Sequence, residues 1–121
     1  MIAIYLGAGL TILWGFAHLF PTRNVVAGFG EISTDNKHII TMEWLVEGIA
    51  LIFTGVLVAA VTFVDPLSRV SQVVYLVAAL FLAVMAIVSL LTGFKVNMLP
   101  FKLCPLIFGL SAMLLIFGAF L

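Results

Sequence analysis

The sequence predicts an all-α polytopic membrane protein, a single antiparallel bundle of four transmembrane helices over residues 1–121. Three observations carry this prediction. The chain is 65% hydrophobic and only 8% charged, with a mean hydropathy of +1.39. A soluble domain carries roughly 25% charged residues, so this chain has too little polar surface to cover a water-exposed globule. Its apolar residues fall in four runs, at about 2–20, 39–63, 70–92 and 101–121. Each comes close to the roughly 20 residues that cross a bilayer. The breaks between the runs hold three of the four prolines and seven of the ten charged residues.

Composition also excludes several functions. Five basic and five acidic residues give zero net charge and no basic patch, so nucleic acid is not an expected partner. Cys104 is the single cysteine, which rules out an internal disulfide and a CxxC motif. Nucleotide-loop, GxSxG and zincin motifs are absent. The expected partners are the lipid bilayer, a small or lipophilic ligand, and either further copies of the chain or a larger membrane complex.

The first run, closed by Pro21, starts without a basic leader region and is read as a retained span, not a signal peptide. Gly7, Thr11, Trp14, Gly15 and His18 share one stripe of it, where small residues let another helix approach. His18 falls in the last turn, where it is either an interfacial histidine bonded to water or backbone, or a functional group. Residues 21–38 form the longest polar segment, with Arg23, Glu31, Asp35, Lys37 and His38. Gly28 and Gly30 are expected to break regular helix there, and Ser33, Thr34, Asp35 and Asn36 are candidate N-caps. The segment reads as a solvated connector or a functional lid.

The second run carries Glu43 and Glu47, four residues apart and so on one helical face. Glu43 reads as an interfacial carboxylate complementing the helix N-terminus. Glu47 lies one turn deeper, roughly 6 Å at 1.5 Å per residue. A carboxylate at that depth either fastens helices together or marks a site. A short turn with Asp65, Pro66 and Arg69 leads to the third run, whose stripe of Ser71, Tyr75, Ala78, Ala86, Ser89 and Gly93 is small to polar. Tyr75 is expected at the interface. Lys95 and Asn97 occupy the next loop. The fourth run opens after Pro100 with a snorkelling Lys102, and Pro105 falls in its first turns. Cys104, Ser111 and Gly118 repeat there as a packing seam, with Cys104 expected to be buried.

Four crossings put both termini on one side and loops 21–38 and 93–101 on the other. The loop side collects Arg23, Lys37, Lys95 and Lys102 against Arg69 alone, so both loops are expected in the cytoplasm and both termini outside. His18, His38, Glu43, Glu47, Asn97 and Cys104 then cluster toward that face, with plain packing in the opposite half. The expected site is a cytoplasm-facing cavity lined by Glu47, His18, Glu43 and Asn97, with His38, Arg23 and Lys95 as possible loop contributors. No metal or cofactor is expected, since the chain lacks the Glu-x-x-His pattern of four-helix di-metal sites.

The segment Trp14-Gly15-Phe16-Ala17-His18-Leu19-Phe20-Pro21, followed by Val25-Val26-Ala27-Gly28-Phe29-Gly30, resembles the first helix and loop of small DoxX-like four-helix membrane proteins. The resemblance covers about a quarter of the chain and implies the four-span fold. Some members of that family are linked to membrane oxidoreductase complexes.

Three functions fit these residues. One is binding or transport of a small or lipophilic ligand, with Glu47 and His18 coupling a proton to it. The second is an accessory subunit of a larger membrane complex. The third is a membrane enzyme on a lipid or quinone-like substrate, with Glu47 as base and His18 as acid.

Overall fold

A computed structural model describes all residues 1–121 and contains only helices: α1 (Ile2–Leu19), α2 (Thr22–Ala27), α3 (Thr34–Val64), α4 (Arg69–Leu91), a 3-10 turn at Gly93–Lys95, and α5 (Leu99–Phe120). α1, α3, α4 and α5 are long and apolar enough to cross a membrane. Large apolar side chains such as Leu13, Phe53, Leu80 and Met113 stay exposed along their outer faces. Lipid is the solvent that suits such surfaces, and this is a multi-pass membrane protein.

Each helix begins and ends where its residues demand. Ser33 accepts a hydrogen bond from the Asn36 N–H at 3.1 Å and caps α3, with Asp35 in the first turn. Ser68 caps α4 in the same way through the Ser71 N–H at 3.1 Å. The expectation that 21–38 is irregular is corrected. The six residues Thr22–Ala27 form a helix before Gly28, and only Gly30, at φ 75°, needs the left-handed region. α3 starts at Thr34, five residues before the expected span, so His38 lies on a helix. At 31 residues α3 is about 46 Å long, some 16 Å more than a 30 Å hydrocarbon core. Its N-terminal turns therefore project past the apolar layer.

The four spans form a square in chain order, with α1 against α3 and α5, and α4 against α5. The α1–α3 contact is the most intimate. A Cβ on Gly15 would lie 2.7 Å from Ile52 Cγ1 and 2.9 Å from the Gly48 carbonyl oxygen. A Cβ on Gly48 would collide with Leu19, and one on Gly55 would lie 2.7 Å from the Ala8 carbonyl oxygen. Without a hydrophobic force between helices in lipid, such close van der Waals approach is what holds them together. The core of Ile4, Ala8, Leu51, Val58, Tyr75, Leu82, Phe108 and Leu115 fills the centre of the square.

The half of the bundle expected to be plain packing holds a polar cluster. Tyr75 is 1% exposed, a buried residue and not an interfacial one. Thr62 Oγ1 spends its hydrogen on the Val58 carbonyl at 2.6 Å, so the Tyr75 hydroxyl donates to Thr62 at 2.7 Å. Ser71 Oγ donates to the Asp65 carbonyl at 2.5 Å, with the Val61 carbonyl at 3.2 Å. These bonds add a side-chain donor to carbonyls at the end of α3 and pin it to the start of α4. α3 and α4 touch sparsely, the loosest edge of the square.

Candidate functional site

At the end of the bundle remote from the pinned turn lies a cavity of about 540 Å³. Its walls come from all four spans and α2: Trp14 and His18, Trp44 and Glu47, Ser89 and Thr92, Phe101 and Cys104, with Val25. Its rim residues Met98, Leu99 and Pro100 are exposed, so the cavity opens at the level of the loops.

The glycine contact between α1 and α3 positions its polar centre. Gly15 and Gly48 bring the helices close enough for His18 to reach the backbone of α3 one turn later. His18 Nε2 lies 3.0 Å from the Trp44 carbonyl oxygen and 3.3 Å from Glu47 Oε2. A backbone carbonyl only accepts, so Nε2 carries a proton and donates. Trp44 returns the bond, its indole N–H donating to the His18 carbonyl at 2.7 Å. The two rings stack with centroids 3.8 Å apart and 17° between planes. Phe101, at 5.8 Å from the Trp44 ring, extends the aromatic cluster to α5. A tryptophan in this position suits the boundary between lipid and headgroups.

His18 is clamped and Glu47 is not. The His18 side chain is 9% exposed and that of Glu47 39%, and the carboxylate has no protein partner besides His18. The other polar side chains of the wall spend their hydrogens on backbone carbonyls, which leaves them as acceptors. Ser89 and Thr92 donate their hydroxyl hydrogens to the Ala86 and Val88 carbonyls at 3.1 and 2.7 Å. The Cys104 thiol points to the Pro100 carbonyl at 3.4 Å. Pro105 has no N–H for the Phe101 carbonyl one turn back. The Trp14 indole lines the same wall beside Cys104.

Of the expected site residues, the structure joins only Glu47 and His18. Glu43 shares the helical face in principle but lies one turn nearer the loop, exposed and outside the cavity. Asn97 is exposed beyond the 3-10 turn and does not line the cavity. Lys95 is exposed at the end of that turn. Arg23 and His38 line a different cavity with Lys37. Cys104, expected to be buried, is half-buried in the wall. No group of three or more His, Cys, Asp or Glu side chains is arranged to hold a metal. The residue that sequence reasoning missed is Trp44. The signal was present, an aromatic with a polar edge three residues before Glu47 on the same helix face.

No family model, curated protein or solved structure matches the chain.

Proposed function

We propose that the protein binds a lipophilic molecule whose head donates hydrogen bonds or carries positive charge, with that head beside Glu47. The observation that carries this reading is the unpartnered half of the Glu47 carboxylate, open to a largely apolar cavity. Its volume of about 540 Å³ falls within the roughly 300–1,000 Å³ of small-molecule sites. A carboxylate below the membrane surface needs a partner, and His18, the one side chain near it, directs its Nε2 hydrogen to the Trp44 carbonyl. The hydroxyls of Ser89 and Thr92 offer lone pairs, which suits a donating head and disfavours an anionic one.

The cavity lies at the face that carries Arg23, Lys37, Lys95 and Lys102, and the positive-inside bias puts that face in the cytoplasm and both termini outside. The resemblance to DoxX-like proteins belongs to the same reading and contributes the four-span frame, not the ligand.

Both tryptophans of the chain, Trp14 and Trp44, line the cavity, so intrinsic fluorescence reports occupancy. The test is titration of nanodisc-embedded protein with a bromoalkyl amine, whose bromine quenches indole. Saturable quenching is expected, and Glu47→Gln weakens it by at least tenfold, since a hydrogen bond to a charged group contributes about 1.5–3 kcal/mol. A bromoalkyl carboxylate is expected to quench poorly. Equal affinity in Glu47→Gln, or equal quenching by the carboxylate, refutes the proposal.

A further inference from the structure

A second cavity, of about 740 Å³, opens between α2 and the first turns of α3. It is lined by Thr22, Arg23 and Val26 on α2 and by Lys37, His38 and Thr41 on α3. Three of these side chains are basic or can become so, and no acidic residue lines the notch. The one basic–acidic side-chain pair within ion-pair distance is His18 with Glu47, so neither Arg23 nor Lys37 has a carboxylate beside it. Two permanent cations thus face a shared space without a counterion in the chain.

The notch is built, not a chance gathering along one loop. α2 packs on α3 through buried Val26, which fixes Arg23 opposite Lys37 and His38. The threonines do not supply the missing charge. Their hydroxyls donate to backbone carbonyls, Thr22 to Leu19 at 2.6 Å and Thr41 to Lys37 at 2.7 Å. The donors left for a ligand are the guanidinium, the ammonium and the imidazole.

Depth identifies the class of ligand. Counting the roughly 20 residues of a span back from Val64 places the apolar boundary near Leu45. Lys37, His38 and Thr41 lie beyond it, in the projecting turns of α3. Arg23 follows the end of α1 directly, beside Phe20, which is exposed and apolar. The cations therefore lie on the water side of the apolar boundary, where long basic side chains reach lipid phosphates and a planar guanidinium pairs with two phosphate oxygens at once.

We propose that this notch binds a phosphate group at the membrane surface, through Arg23, Lys37 and His38. α2 separates it from the Glu47 cavity, contributing Val25 to one and Arg23 to the other. The proposal is independent of the lipophilic-ligand reading. Two sources can present the group, an anionic lipid headgroup or free phosphate from water.

The test is native mass spectrometry of the full chain, titrated with phosphatidylglycerol and with phosphatidylcholine, alongside calorimetry with inorganic phosphate. The variants are Arg23→Gln/Lys37→Gln, the charge-retaining Arg23→Lys/Lys37→Arg, and Lys95→Gln at an exposed site outside the notch. Preferred phosphatidylglycerol adducts are expected. They weaken about thirtyfold in Arg23→Gln/Lys37→Gln, the factor for two basic side chains at an anionic surface. They persist in the charge-retaining variant and in Lys95→Gln. Inorganic phosphate binding that is lost in the same double variant, without lipid preference, supports the site with free phosphate as the source. Binding of neither probe, or equal binding in Arg23→Gln/Lys37→Gln, overturns the proposal.

Discussion

Glycine to alanine at positions 9 and 15 of α1 is one chemical change with two opposite expected outcomes. At Gly9 a new Cβ meets nothing within 4 Å and faces lipid. Alanine there raises helix propensity by about 0.8–1.0 kcal/mol at most. At Gly15 the same methyl meets Ile52 Cγ1 at 2.7 Å, the Gly48 carbonyl oxygen at 2.9 Å and the Ile52 N at 3.0 Å. Two of these three obstacles are backbone of α3, so a rotamer change cannot relieve them and the helices must part. Overpacking of this kind costs about 1–3 kcal/mol. The separation between the two variants is then roughly 2–4 kcal/mol, opposite in sign about the wild type. Parting the helices also acts on the site, because His18 follows Gly15 by one turn and reaches Trp44 only across the close contact. Unfolding in mixed detergent micelles, titrated with SDS, measures the stability difference. Tryptophan emission reads the state of the His18–Trp44 stack. Gly15→Ala is expected to lose stability and red-shift the emission, and Gly9→Ala to do neither. Equal behaviour of the two variants refutes the glycine contact as the support of the site.

Two further substitutions probe single bonds. Trp44→Phe keeps an aromatic ring against His18 but removes the donor to its carbonyl, and is expected to cost about 1 kcal/mol. It also leaves Trp14 as the only tryptophan, so persistence of saturable quenching by the bromoalkyl amine would show that Trp44 is dispensable for binding. In the opposite half, Thr62→Val strips the buried Tyr75 hydroxyl of its acceptor and is expected to cost about 1–3 kcal/mol. Adding Tyr75→Phe removes the orphaned group. The double variant is expected to be more stable than Thr62→Val alone, and a strictly additive loss would rule out the bond as drawn.

How much of the site was legible can be seen from its two members. Glu47 stood out by cost alone, since a carboxylate one turn inside an apolar run has few inexpensive explanations. His18 followed from topology, because antiparallel spans bring the end of α1 level with the start of α3. Glu43 and Asn97 were misplaced for a related reason. Helical spacing gives the face of a residue, not the height at which the neighbouring wall ends, and Glu43 lies above it. As one irregular loop, 21–38 would bring Arg23 and His38 to the same cavity as Glu47. Folding of Thr22–Ala27 into a helix, with Val26 buried against α3, turns Arg23 away from Glu47 and toward Lys37. A six-residue helix is too short to declare itself by periodicity.

The sequence by itself determined the solvent and the count of crossings. Hydrocarbon admits only backbone that bonds to itself, so four long apolar runs had to become four helices whatever their partners. It also determined where α3 and α4 begin, since Ser33 and Ser68 act within their own first turns. Only the tertiary structure decided which helices touch and which part. The shortest connection between spans joins α3 to α4, yet that edge is the loosest, with the Ser71 hydrogen bonds holding it at the turn. Small residues drew α1 onto α3 instead, and the gap left at the far end became the cavity around Glu47. Contact between helices in lipid depends on how closely two surfaces fit, and that fit is a property of pairs of helices that no single run of residues contains.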